Sequence, residues 1–182
     1  MEGNNEVKRL YIVVTQTGTV LSRMLKVVTK ARFNHASIGL SDDLRLMYSF
    51  GRRHPYNPFW GGLVRESPFH GTFARFKDTQ AIVMAIDIDE QKHAAILTHI
   101  DDMMSRQNTY HYNYLGVALA GLKKVRKKEN CYYCSEFVKY ILDEFEVEGA
   151  EKLGDIVHPM DFLELSYPQV YEGKLQEYSI MR

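Results

Sequence analysis

The apolar and polar positions of the chain alternate between two periods, and the changes of period mark the elements. Leu10 to Thr15 (Leu-Tyr-Ile-Val-Val-Thr) is a continuous apolar, β-branched run that reads as a buried strand. Gly18 breaks it. From Thr19 to Lys30 the apolar positions Val20, Leu21, Met24, Leu25, Val27 and Val28 take up helical spacing, with Thr17 or Thr19 placed to cap the start. His35 to Ser41 has a period of two: Ala36, Ile38 and Leu40 share one face, and His35, Ser37, Gly39 and Ser41 the other. Asp42-Asp43 supplies a turn and Leu44 to Phe50 returns, which predicts a hairpin. With a two-residue loop, Phe50 lies opposite His35 and Tyr48 diagonal to it on the same face. A change of register by one residue presents Ser49 instead.

Gly51 to His70 has neither period. It is rich in Pro, Gly, Arg and aromatic residues and reads as a functional loop or lid, with a short strand near Leu63-Val64. Gln80 to Ile88 is another apolar strand. Asp87 or Asp89 then caps a helix to about Arg106, with Ala94, Ile96, Leu97, Ile100 and Met104 on its apolar side. After Tyr110-His111-Tyr112-Asn113-Tyr114, a small-residue helix is predicted from about Asn113 to Leu122, followed by the basic run Lys123 to Lys128. Phe137, Val138, Ile141, Leu142 and Phe145 mark one more amphipathic helix, whose apolar stripe begins one turn earlier at Cys134. His158-Pro159-Met160-Asp161-Phe162 starts a short helix with Pro in its first turn, and Val170-Tyr171 with Lys174 to Tyr178 around Gly173 resembles a closing hairpin.

Composition narrows the classes without choosing among them. The 182 residues suffice for one domain spanning 1–182 with a real core, and 45% hydrophobic with 25% charged residues is ordinary for a globular protein. Lys plus Arg and Asp plus Glu both number 23, so no net charge argues for nucleic acid or a membrane surface as partner. The polar N-terminus does not read as a secretory signal and no apolar run is long enough to span a bilayer, so a cytoplasmic location without integral membrane association is expected. Two cysteines in that compartment point to chemistry or packing rather than to a disulfide framework.

Phosphate-cradling glycine loops, a two-histidine zinc helix and a serine nucleophile elbow are all absent from the sequence, and no cofactor or metal is expected. Cys131-Tyr132-Tyr133-Cys134 is formally a C-x-x-C, but no second pair completes a zinc site and no thioredoxin-like element order surrounds it. Cys134 is the better candidate for a nucleophile. In the first turn of a helix, unpaired backbone N–H groups and the dipole favour a thiolate. A cysteine hydrolase also needs an imidazole, a group to orient it and donors for the oxyanion. His35, on a strand face kept open by Ser37 and Gly39, suits the imidazole role better than His54, His70, His93, His99 or His158.

Asn34-His35-Ala36-Ser37-Ile38-Gly39-Leu40, then Met47-Tyr48-Ser49-Phe50-Gly51-Arg52, then Cys134-Ser135-Glu136-Phe137-Val138 resemble the circularly permuted papain-like proteins. These are the NlpC-related hydrolases of the YiiX and YebB type, with the lecithin:retinol acyltransferase group as relatives. The segment Val157 to Asp161 is similar to the one that follows the cysteine helix in that group. The resemblance implies an α+β papain-like fold of the permuted NlpC type, an antiparallel sheet or small barrel packed against helices. It also implies Cys134 as nucleophile and His35 as base. The orienting position falls in the next strand, where Met47-Tyr48-Ser49-Phe50 offers no carboxylate or second histidine, and Tyr48 or Ser49 is expected to fill it. The backbone N–H of Cys134, with Gln16 or Tyr11, would bind the oxyanion, and Tyr48, Arg52, Trp60, Tyr112 and Tyr133 would line a substrate cleft. The activity expected is cleavage of an amide in a small peptide or amino-acid conjugate. The alternatives are acyl transfer or thioester and lipid-ester hydrolysis by the same dyad, and a ligand-binding module with a degenerate site.

Overall fold

The computed structural model describes residues 6–17, 32–54, 57–114, 116 and 129–182. The helix expected over Thr19 to Lys30, all but the start of the one expected over Asn113 to Leu122, and the basic run Lys123 to Lys128 lie outside the described residues. The fold is α+β. Strands β1 (Val7–Gln16), β2 (His35–Gly39), β3 (Met47–His54), β4 (Asn57–Glu66), β5 (Gln80–Asp89) and β8 (Gln169–Lys174) form one antiparallel sheet in the order β4-β3-β2-β1-β5-β8. Helices α1 (Gly71–Arg75), α2 (Glu90–Ser105), α3 (Cys134–Glu144) and α4 (Leu175–Met181) accompany it, and β6 (His111–Tyr112) pairs in parallel with β7 (Cys131–Tyr132).

The continuous apolar run of β1 is explained by burial on both faces. Leu10, Ile12 and Val14 join Ala36, Ile38, Tyr48 and Phe50 beneath Ile96, Ile100 and Met103 of α2 and Phe137, Val138, Ile141 and Leu142 of α3. On the other face, Tyr11 and Val13 pack with Ala81, Val83 and Ala85 against Phe73 of α1 and Leu175 and Tyr178 of α4. Of the two cap candidates for α2, Asp89 does the capping: its side chain accepts the Lys92 N–H at 2.7 Å.

Three expectations need correction. The turn after β2 is longer than Asp42-Asp43. Ser41 Oγ accepts the Leu46 N–H at 3.0 Å, and Leu44 turns inward with φ 56° and no exposure, so the first registered pairs are Gly39 with Met47 and Ile38 with Tyr48. That shifts the hairpin by one residue. Second, much of Gly51 to His70 is ordered as a sheet, because β3 runs on to His54 and β4 returns beside it with Met47 opposite Glu66 and Phe50 opposite Leu63. Arg53 ties this hairpin down by donating to the carbonyls of Gln107 and Tyr110. Third, the closing hairpin does not form: Gln169–Lys174 pairs with β5, and Leu175, Tyr178 and Ser179 then bury the three-and-four spacing of a helix.

Candidate active site

Cys134 is the first residue of α3, and its position is fixed by bonds on both sides. Tyr133, the N-cap, is extended, and the Glu136 carboxylate reaches back to accept its N–H at 3.0 Å, satisfying one of the donors a helix start leaves open. Asn113 Nδ2 donates to the same carboxylate at 3.2 Å. On the far side, the buried Ser135 hydroxyl donates to the Val157 carbonyl at 2.6 Å, which draws the segment before Pro159 against the helix. Cys134 is 5% exposed, and Cys131 and Cys134 are both free thiols.

His35 opens β2, opposite Thr15 of β1. Its Nε2 lies 3.1 Å and 3.2 Å from the two carboxylate oxygens of Glu66, the last residue of β4. Ser37, two residues along β2 on the same face, donates to Glu66 Oε2 at 2.6 Å, and Ser49 of β3 faces that carboxylate from the other side. Gly51 leaves room for the group: a Cβ there would stand 3.3 Å from both Glu66 Oε1 and Ser49 Oγ. The Phe73 ring packs near the imidazole, with centroids 6.3 Å apart.

The electrostatics follow from this packing. The His35 and Glu66 side chains are 18% and 13% exposed. Burial alone would lower the His35 pKa, but the Glu66 carboxylate and a hydrogen-bonding contact with Cys134 raise it to about 10. Burial likewise opposes ionisation of Glu66, yet His35, then Ser37 and Ser49, hold its carboxyl below its usual value. Glu66 occupies Nε2, which leaves Nδ1 as the ring nitrogen for a second partner. Tyr112 pairs with Tyr132, two residues before Cys134. Burial first, then the sulfur, pushes its phenol well above the ordinary value, so it is a neutral O–H donor.

The structure brings some of the sequence candidates together and separates others. Cys134, His35 and Ser49 converge. Tyr48 does not: as the partner of Ile38 it lies on the opposite face of the sheet, and its hydroxyl donates to Asp101 Oδ1 of α2 at 3.2 Å. Ser49 faces the carboxylate, so Glu66 and not Ser49 orients the imidazole. Tyr11 is removed from the site as well, because its hydroxyl donates to Asp42 at 2.7 Å in the second core. Gln16 ends β1 opposite Gln80, on the face that α2 and α3 cover. Tyr133 is 5% exposed, and its hydroxyl reaches the backbone of Val157, so it holds the helix start rather than lining a cleft. Tyr112 and Arg52 are half-buried, Tyr112 beside the strand that leads into α3, and Trp60 is exposed at 56%.

Glu66 is the functional candidate that sequence reasoning missed. A signal for it existed in the short strand at Leu63-Val64. Pairing that strand with Ser49-Phe50 sets Glu66 opposite Met47, on the face that carries Ser49.

Fold and site together define an α+β protein with a cysteine–histidine–carboxylate array at the start of a helix. Compared with protein-family models, with curated proteins and with solved structures, the chain matches none. No helix among the described residues is long and apolar enough to cross a membrane.

Proposed function

We propose that this protein is a cysteine hydrolase that cleaves amides in small peptides or amino-acid conjugates, built as a permuted papain-like domain. The observation that carries the reading is the Glu66 carboxylate at 3.1 Å from His35 Nε2, with the Cys134 thiol on the same imidazole. The same carboxylate favours this reading over a binding module with a degenerate site.

In the proposed reaction the proton of the Cys134 thiol rests on His35 Nδ1, and Glu66 stabilises the imidazolium that carries it. The sulfur attacks the acyl carbon, and the carbonyl oxygen becomes an oxyanion that the Cys134 N–H is positioned to receive. His35 returns the proton to the amide nitrogen as the C–N bond breaks, and the amine leaves. Water, deprotonated by His35, attacks the thioester, releases the carboxylic acid and restores the thiol. Ester and thioester substrates would follow the same course with a different leaving group.

The test is a panel of peptide amides, acyl esters and acyl thioesters assayed with the wild type, Cys134→Ser and His35→Ala. Turnover of amides that both substitutions abolish is the expected result. Turnover surviving Cys134→Ser refutes the nucleophile, and turnover confined to esters or thioesters refutes the amidase assignment.

A further inference from the structure

Beside the thiol lies a guanidinium that the proposed reaction does not use. Arg52 is on β3 directly opposite Gly61 of β4. Gly61 is where the hairpin meets the tyrosines: a Cβ there would come within 2.8 Å of both Tyr112 Cβ and Tyr114 Oη. Those two rings pack on one another with centroids 4.6 Å apart, and Tyr112 pairs with Tyr132, two residues before Cys134. Arg52 therefore shares a wall with the nucleophile, one tyrosine removed from it.

No ion pair to Arg52 occurs among the described residues, although it is half-buried. The charge that acts on it most is another cation: burial first, then Arg75, lowers the Arg52 pKa, with Tyr112 and Tyr114 acting in the opposite direction. The carboxylate at this end of the sheet, Glu66, is committed to His35 and Ser37. A partly desolvated guanidinium with a second one nearby is unfavourable without an anion, and its planar fork matches a carboxylate. An arrangement that costs stability in the free protein is repaid when a ligand supplies the missing charge.

We propose that Arg52 is a specificity residue that binds a carboxylate of the substrate, so that the compounds acylating Cys134 are anionic: peptides or amino-acid conjugates with a free carboxylate close to the scissile amide. The inference rests on the proposed cysteine chemistry and names its substrate class. Tyr112 and Tyr114 form the apolar side of the same site, and the two possible sources of the carboxylate, a chain terminus and an acidic side chain, present the same group to the fork.

Iodoacetate and iodoacetamide test it on the intact protein, since they alkylate the same sulfur and differ in one negative charge. Labelling is followed at Cys134 and Cys131 by peptide mass mapping. The iodoacetate-to-iodoacetamide rate ratio at Cys134 is expected to exceed that at Cys131 by roughly tenfold, the scale of one charge-assisted bond. Because His35 also attracts an anion, the decisive comparison is Arg52→Gln, which brings the ratio down several-fold, with Arg52→Lys intermediate. A ratio unchanged by Arg52→Gln overturns the proposal while leaving the nucleophile intact. Slow, equal labelling of both cysteines by iodoacetamide refutes the cysteine chemistry itself. Protection of Cys134 from iodoacetamide is then measured with three matched dipeptides: one with a free terminus, one amidated, and one amidated but carrying Glu. Protection by an acidic member but not by the neutral one supports the proposal and identifies the source of the carboxylate. Equal protection by all three overturns it.

Discussion

Replacing Glu66 by Gln keeps the shape of the side chain and an acceptor for His35 while removing the charge. At 3.1 Å from Nε2, the carboxylate stabilises an imidazolium by about 5 kcal/mol of Coulomb energy at an effective dielectric constant of roughly 20. A neutral hydrogen bond restores about 1 kcal/mol of that, so the imidazolium loses about 3–4 kcal/mol, two to three powers of ten in its protonation equilibrium. Iodoacetamide labelling registers a smaller change, because an ordinary thiol is already about 3% ionised at pH 7. A Cys134 rate up to about thirtyfold above that of Cys131 is therefore expected to fall most of the way to the Cys131 rate in Glu66→Gln. Glu66→Asp keeps the charge on a shorter arm and should recover part of it. Rates are read by mass mapping of alkylated peptides, and thermal unfolding of each variant establishes that the labelled species is folded. A folded Glu66→Gln protein whose Cys134 reacts at the wild-type rate refutes the reasoning.

Tyr48→Phe removes the hydrogen bond to Asp101 and should lower Tm by about 2–4 °C while leaving Cys134 labelling unchanged. A loss of labelling as large as that in Glu66→Gln would return Tyr48 to the orienting role. The His35–Glu66 pair also imposes a pH dependence on stability. With the His35 pKa raised from 6.5 to about 10, its contribution is complete below pH 6.5 and fades as the pH rises through 10. The Glu66 contribution, from a lowered pKa, is present above its ordinary value and disappears only as the pH falls through the lowered one. In urea titrations the advantage of wild type over His35→Gln should thus shrink between pH 6.5 and 10, by at most ~1.4 kcal/mol per pH unit. An advantage that stays flat across that window contradicts the coupling. Phe50→Ala empties a fully buried site whose ring lies 5.3 Å from Phe137 and 5.2 Å from Tyr132, and should cost about 3–5 kcal/mol, or roughly 10 °C in Tm. A Tm within 2 °C of wild type would mean that the helix does not rest on that strand.

What the sequence revealed and what it hid have physical reasons. β1 and β5 were legible because their apolar runs serve two cores at once, and α2 and α3 because each keeps a helical stripe with an acidic residue in its first turn. Cys134 and His35 could be paired because each occupies the start of a strongly patterned element. β3 and β4 beyond Phe50 were illegible because Gly51, Gly61, Gly62 and two arginines replace the apolar alternation that usually marks a strand. There the backbone ladder and close approach to Glu66, Tyr112 and Arg53 select the residues, not burial of a face. Glu66 was hidden with them. The register of β2 against β3 depended on the conformation of one residue, Leu44, whose positive φ lengthens the turn and exchanges the faces of Tyr48 and Ser49.

The carboxylate of the array is carried by β4, an edge strand with a single neighbour in the sheet. Edge pairs open at lower free energy than interior ones, so the end of β4 that carries Glu66 is expected to fray while β1, β2 and β5 remain paired. The reactivity proposed for Cys134 is therefore expected to be lost on heating before the fold itself melts.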